Sequence, residues 1–242
     1  MSNPWIDVTY DVRKDSGGRD PDSGSQTLRQ YHKLLWSKEL PNGRRFDLVD
    51  TRARAYLYHE SDLGQFYLSS DSIIHTYFTW KIMDDITRLL SPEEKEDFLK
   101  LACTIGGFLI FPQNQLNSMH TINQARGVNR AICDRIDLTL ECIRLHYIGQ
   151  VSPLCSTLKR YDDFFAMFHD FKGYCEYFLL QDLVSPGCER VEFLLPFADF
   201  SSNPLPQSID EYKQYMQRSM AFTAKRNSRI RKYCEELFTP PA

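Results

Sequence analysis

The sequence predicts an α+β fold in a single domain. Short strands fall mainly in the N-terminal half and pack against a helix-dominated C-terminal half with a buried aromatic helix. Three observations carry this prediction. Aromatic-rich or alternating pieces separated by polar turns crowd residues 45–70. Apolar positions recur every three or four residues beyond 120. The run from Thr157 to Val184 is apolar on almost every face. At 242 residues the chain is long enough for a sizeable core, and it has no internal repeat.

Residues 13–26, "RKDSGGRDPDSGSQ", read as a polar surface loop. Asp20-Pro21-Asp22-Ser23-Gly24 has the start of a calcium loop, but Tyr31 stands where the closing glutamate is required, so calcium is excluded. "SQTLRQYHKLLWSKEL" predicts a helix with Leu28, Tyr31, Leu34 and Leu35 on one face, ended by Pro41-Asn42-Gly43. "RFDLVD", "RAYLYHE" and "GQFYLSS" predict short strands. A helix is expected over about 71–90. A second starts at Ser91, which caps it, with Pro92 in the first turn and Glu94 closing a capping box.

"GGFLIFP" (106–112) predicts a buried strand, and "QNQLNSMH" a loop. Apolar positions 125, 128, 132, 136, 140, 143 and 147 form one stripe, which predicts a continuous helix through 149; Gly127 weakens its first turn. "VEFLLPF" fits a strand and "SSNPLPQ" a proline-marked loop. Ser208 and Glu211 form another capping box, opening a C-terminal helix over 208–238.

Composition bounds the function. Net charge is −3, which argues against wholesale coating of nucleic acid. The apolar runs are far too short to span a bilayer, and "MSNPWIDVTYDV" has no basic region followed by an apolar one, so neither a membrane nor a secretory signal is expected. The seven cysteines are scattered singly, with no CxxC, which points to a reducing cytoplasm and away from disulfides or a cysteine zinc site.

The stretch "TINQARGVNRAICDRIDLTLECIR" (121–144) carries the main functional question. On a helix, residues 123, 126, 130, 134, 137, 141 and 144 share a polar face, which is the pattern of a solvated, salt-bridged surface. The sharper reading is an anion pocket at its start. Asn123, Gln124, Arg126 and Arg130 gather where free N–H groups and a positive dipole end favour an anion, and the preceding loop brings His120 and Asn117. The ligand class this implies is a nucleotide or other phosphorylated molecule, although no glycine-rich phosphate motif is present. His59 in "YLYHESDLG", and His75, four residues after Asp71, are the candidate acid–base groups.

No set of residues with metal-ligand spacing emerges, and no cofactor is specified. His169-Asp170 resembles one metal-binding dipeptide but fits a chance pair on an aromatic helix better. There is no G-x-S-x-G, and Cys133 has only Arg130 and Arg135 near it in sequence to activate it. Between Lys213 and Lys232 seven basic residues and no acid occur: Lys213, Arg218, Lys225, Arg226, Arg229, Arg231 and Lys232. The alternative function is therefore a non-catalytic interaction protein that holds a protein or nucleic-acid partner through this basic helix.

The segments "LWSKELPNG", "LSSDSI", "TINQARG", "DRIDLTLECIR", "YDDFFAMFHDFKGY" and "LLQDLV" resemble a bacterial family of unknown function over most of the chain. The resemblance implies a bacterial source and a free-standing domain. It carries over no activity and no catalytic residue.

Overall fold

The computed structural model describes residues 5–51, 57–113 and 119–238. Its architecture is α+β. The chain opens with a short helix α1 (Pro21–Gly24) and α2 (Gln26–Trp36), followed by the hairpin β1 (Lys38–Glu39) and β2 (Arg45–Phe46). A four-stranded antiparallel sheet then forms in the order β3 (Val49–Asp50), β4 (Leu57–Ser61), β5 (Gly64–Ser72) and β6 (Phe108–Pro112). Between the last two strands lie α3 (Asp84–Thr87) and α4 (Pro92–Ala102). The helical half comprises α5 (Ile122–Val128), α6 (Ile136–Tyr147), α7 (Cys155–Leu158), α8 (Asp162–Ala166), α9 (Phe171–Tyr177) and the long α10 (Ile209–Phe238).

The capping signals act where the sequence places them. Ser91 Oγ accepts from the Glu94 N–H while the Glu94 carboxylate accepts from the Ser91 N–H. Ser208 Oγ accepts from Glu211 N at the head of α10, while the Glu211 carboxylate accepts from Gln207 N, one residue before the donor a capping box requires. β6 is buried at every position, as a strand covered on both faces must be. α10 runs past α4, α3 and the turns 105–107 and 181–183, so it joins the N-terminal elements to the aromatic half. One apolar cluster extends from Ile6 to Cys234. Among the described residues no helix is long and apolar enough to cross a membrane.

Four elements differ from their sequence patterns. The helix expected from 71 is absent there, because β5 runs on to Ser72 and pairs Asp71 with Leu109 of β6. The stripe over 125–147 is two helices rather than one. Val128 ends the first, and Cys133 and Asp134 take left-handed backbone angles (φ +47° and +62°) before Ile136 starts the second. The aromatic run 157–184 is a buried cluster assembled from α7, α8, α9 and intervening turns, with left-handed breaks at His169 and Leu179. "VEFLLPF" supplies one bridge, Val191 to Val184, and residues 185–207 otherwise cross the surface without helix or strand. The 13–26 segment holds a 3-10 turn and α1, whose Asp22 is turned inward. The first part of "RAYLYHE", and Asn117, lie outside the described residues.

Candidate functional site

The alternation of β5 sorts its polar end onto two faces. Ser69 and Asp71 face α5. Asn123 Nδ2 donates to Ser69 Oγ at 2.9 Å, and Arg126 Nη1 donates to Asp71 Oδ2 at 2.5 Å. Ser70 and Ser72 face α1 and α2. Ser70 Oγ donates to Asp22 Oδ1 at 2.9 Å and Ser72 N to Asp22 Oδ2 at 3.3 Å.

Arg126 is fully buried. Besides Asp71, its guanidinium donates to Ser72 O (3.1 Å), Asp134 O (2.9 Å) and Thr139 Oγ1 (3.2 Å), and Asp134 Oδ1 lies 3.0 Å from Nη1. Burial works against its charge, but Asp134 and Asp71 outweigh it and the pKa is raised. His75 completes this group with Nδ1 3.3 Å from Asp134 Oδ2, its ring between Tyr77 and Trp80. Burial lowers its pKa against the pull of Asp134, and its buried Nε2 has no hydrogen-bond partner among the described residues.

On the other face a directed hydrogen-bond chain forms. Trp36 Nε1 donates to His32 Nδ1 at 3.0 Å, which leaves the proton of the neutral ring on Nε2, 2.9 Å from Ser70 Oγ. Burial holds His32 down at about 3, with Arg226 adding to the effect. Burial raises Asp22 to about 8, reinforced by Asp71 and Asp20; burial also raises Asp71 to about 6, with Arg126 opposing and Asp134 adding. The cavity touching this side, against Asp22, His32 and Ser70, holds about 10 Å³, room for no more than a water.

The structure thus brings Asn123, Arg126 and His75 together and leaves the other predicted residues elsewhere. His59 is buried on β4, with Nδ1 2.8 Å from Asp47 O and Nε2 2.9 Å from Ser61 Oγ, so both ring nitrogens are engaged. His120 and Arg130 are exposed, and the carbonyl of His120 accepts from Arg160. Arg126 spends its donors on the protein, which makes it a strut between β5 and the 129–135 turn. His146 sits beside Asp162 and His169 beside Asp170, and among the described residues no His/Cys/Asp/Glu group forms a metal-holding set.

The basic helix is largely committed as well. Lys213 pairs with Glu94, Arg229 with Asp182 and Lys232 with Glu236, while Arg218 donates to Phe193 O. Arg226 is in the core. It donates to the carbonyls of Gly106, Phe108 and Phe178 and lies over Trp36; burial lowers it to about 9. Lys225 and Arg231 are exposed.

A groove that sequence reasoning missed lies where the β1–β2 hairpin folds against α9 and α10. The hairpin is set by Pro41-Asn42-Gly43. Leu40 N donates to Arg44 O at 2.7 Å, and Gly43 takes φ +77°, a conformation glycine adopts without penalty. β1 then points Glu39 outward and Lys38 inward. The groove holds about 920 Å³, within the range of ligand sites. Its charged lining is Lys33, Lys38, Arg45, Glu39 and Glu176, with Tyr177 and Tyr233 as aromatic walls. Lys38 Nζ donates to Tyr177 O at 2.6 Å and lies 4.5 Å, 4.6 Å and 5.1 Å from the ring centres of Tyr177, Tyr233 and Trp36. Lys33 pairs with Asp50, Arg45 with Asp47, and Glu176 with Lys172. Among the described residues Lys38 has no carboxylate within ion-pair distance. Burial, with Arg226 adding, lowers it to about 7. In sequence nothing separates "SKEL" from the charged end of an ordinary helix.

No curated protein and no solved structure matches the chain. A family model does match, over residues 6–230, so the chain belongs to a family of unknown function, DUF6994.

Proposed function

We propose that the chain binds a small anionic molecule, a nucleotide or other phosphorylated ligand, in the Lys38 groove. The ligand class is the one expected from the sequence, and its seat moves from Arg126 to Lys38. The observation that carries this reading is Lys38 itself, a half-buried cation facing a 920 Å³ groove with no carboxylate at ion-pair distance among the described residues. A phosphate supplies the missing counter-charge, and Lys33 and Arg45 can turn from surface acids to meet it. Tyr177 and Tyr233 offer flat surfaces to a base or other ring.

The test is calorimetric titration of pyrophosphate and of nucleoside diphosphates into the wild type and Lys38→Met. A charged hydrogen bond contributes about 1.5–3 kcal/mol, so the variant is expected to bind roughly ten- to a hundredfold more weakly. Equal affinities for the two proteins, or none for either, overturn the reading. A partner held by α10 is the alternative proposal, and it is the weaker one because most of that helix's cations are engaged within the chain. A bacterial, cytoplasmic setting belongs to the same proposal; seven free thiols fit its reducing compartment.

A further inference from the structure

We propose that Lys38 acts as an amine nucleophile that captures a small phosphorylated aldehyde or ketone in this groove as an imine. The inference deepens the anion-groove reading and rests on it for the ligand's second contact.

Four features converge. The amine is in a concave site large enough for a ligand. Among the described residues it donates to Tyr177 O, at 2.6 Å, so a neutral amine donating one N–H there keeps its lone pair for the groove. Burial, and a second cation, Arg226, stacked on the same Trp36, disfavour the ammonium form and outweigh the cation–π attraction of the three rings around Nζ. Lys33 and Arg45 line the same groove, where they can fix a phosphate while the carbonyl carbon approaches Nζ.

The step balances without an added oxidant or reductant. The Nζ lone pair forms a C–N bond to the carbonyl carbon, and the C=O π pair moves to oxygen, which takes a proton lost from nitrogen. The resulting carbinolamine loses its oxygen as water, taking up one proton as the nitrogen releases its second, and C=N forms. Glu39 and Glu176, in the same groove, are the carboxylates available to pass those protons.

The experiment is reductive trapping. The protein is incubated at pH 7 with pyridoxal 5′-phosphate, or with phosphate-free pyridoxal, reduced with borohydride and mapped by peptide mass spectrometry. The Lys38 peptide is expected to carry at least about ten times the label of any other lysine, because an amine with a pKa near 7 is far more often unprotonated than a solvated lysine. Lys38→Arg, which keeps the charge, and Lys38→Met, which keeps the stem, are each expected to lose that label while retaining the wild-type circular dichroism. Label spread over the lysines according to exposure, in a protein that still binds pyrophosphate, overturns the imine proposal and leaves the anion reading standing. Strong Lys38 labelling that is equal for the two aldehydes supports the nucleophile and removes the phosphate contact.

Discussion

Replacing Arg126 with methionine separates a strut from a ligand-binding arginine. The methionine stem fills the space but leaves Asp71 and Asp134, which faced the guanidinium at 2.5 Å and 3.0 Å, without a counter-charge. It also removes the donor to Ser72 O, Asp134 O and Thr139 Oγ1. Breaking a buried pair from one side costs about 3–5 kcal/mol. That is a large fraction of the roughly 5–15 kcal/mol that holds a typical domain together. In urea, with a slope of about 2–3 kcal/mol per molar, the midpoint is expected to fall by roughly 1–2 M at unchanged slope. The deficit should shrink toward pH 5, because the orphaned Asp71, already raised to about 6 by burial, then takes up a proton. Adding Asp71→Asn should recover part of the loss at neutral pH by removing one uncompensated charge. A loss under about 1 kcal/mol, independent of pH, would mean that this side chain is free for a ligand, and the strut assignment would fail.

Three further outcomes follow from the same geometry. Asp22 and Asp71, raised from 3.8 to about 8 and about 6, bind protons on folding, so their contribution is greatest at acid pH and declines as pH rises from about 4 to about 8; urea midpoints of the wild type should therefore fall relative to Asp22→Asn across that range, and parallel profiles would count against a proton-holding Asp22. Binding of an organic sulfonate, whose own charge is constant, should weaken about tenfold between pH 6 and pH 8.5 as Lys38 loses its proton near 7, and a flat titration would remove Lys38 from the site. A Cβ at Gly107 would collide with the Ala102 carbonyl whereas one at Gly127 meets nothing, so Gly107→Ala should cost about 1–3 kcal/mol and Gly127→Ala should stabilise by up to about 1 kcal/mol in thermal melts.

The sequence was most legible where a local rule decides the outcome. Ser91 and Glu94 start a helix because a hydroxyl and a carboxylate reciprocally satisfy N–H groups within one turn; at Ser208 the hydroxyl does its half, while the Glu211 carboxylate accepts from Gln207 N, one residue before the expected donor. The uninterrupted apolar run Phe108–Pro112 is a buried strand. Legibility failed where tertiary contacts overrule spacing. Cys133 and Asp134 break the stripe with left-handed angles and no glycine to announce them; Asp134 N is held by Arg126 O, and Cys133 O accepts from Tyr77 Oη. Asp71 and His75 do not share a helix turn, because pairing with β6 draws Asp71 into the sheet. Of the predicted site, the approach of Asn123 and Arg126 to the early strands was readable from their place after β6. The acceptors that occupy Arg126 were not, since Asp71 and Thr139 lie 55 and 13 residues away. Lys38 left no trace in the sequence, because what distinguishes it is enclosure by Tyr177 and Tyr233, from the far end of the chain.

The turn at 129–135 has a consequence for a distant part of the molecule. It ends at Arg135, which joins Asp137 in a pair closed to solvent. Asp137 accepts the Leu194 N–H and Arg135 donates to Pro204 O, so two points ten residues apart in the surface strap are fastened to one ionic rivet. The order of that strap is borrowed from a segment nearly sixty residues earlier in the chain, since Leu194 and Asp137 are 57 apart. If the rivet opens, residues 194–204 lose their ionic fastening, and a protease would find them before any helix beneath them.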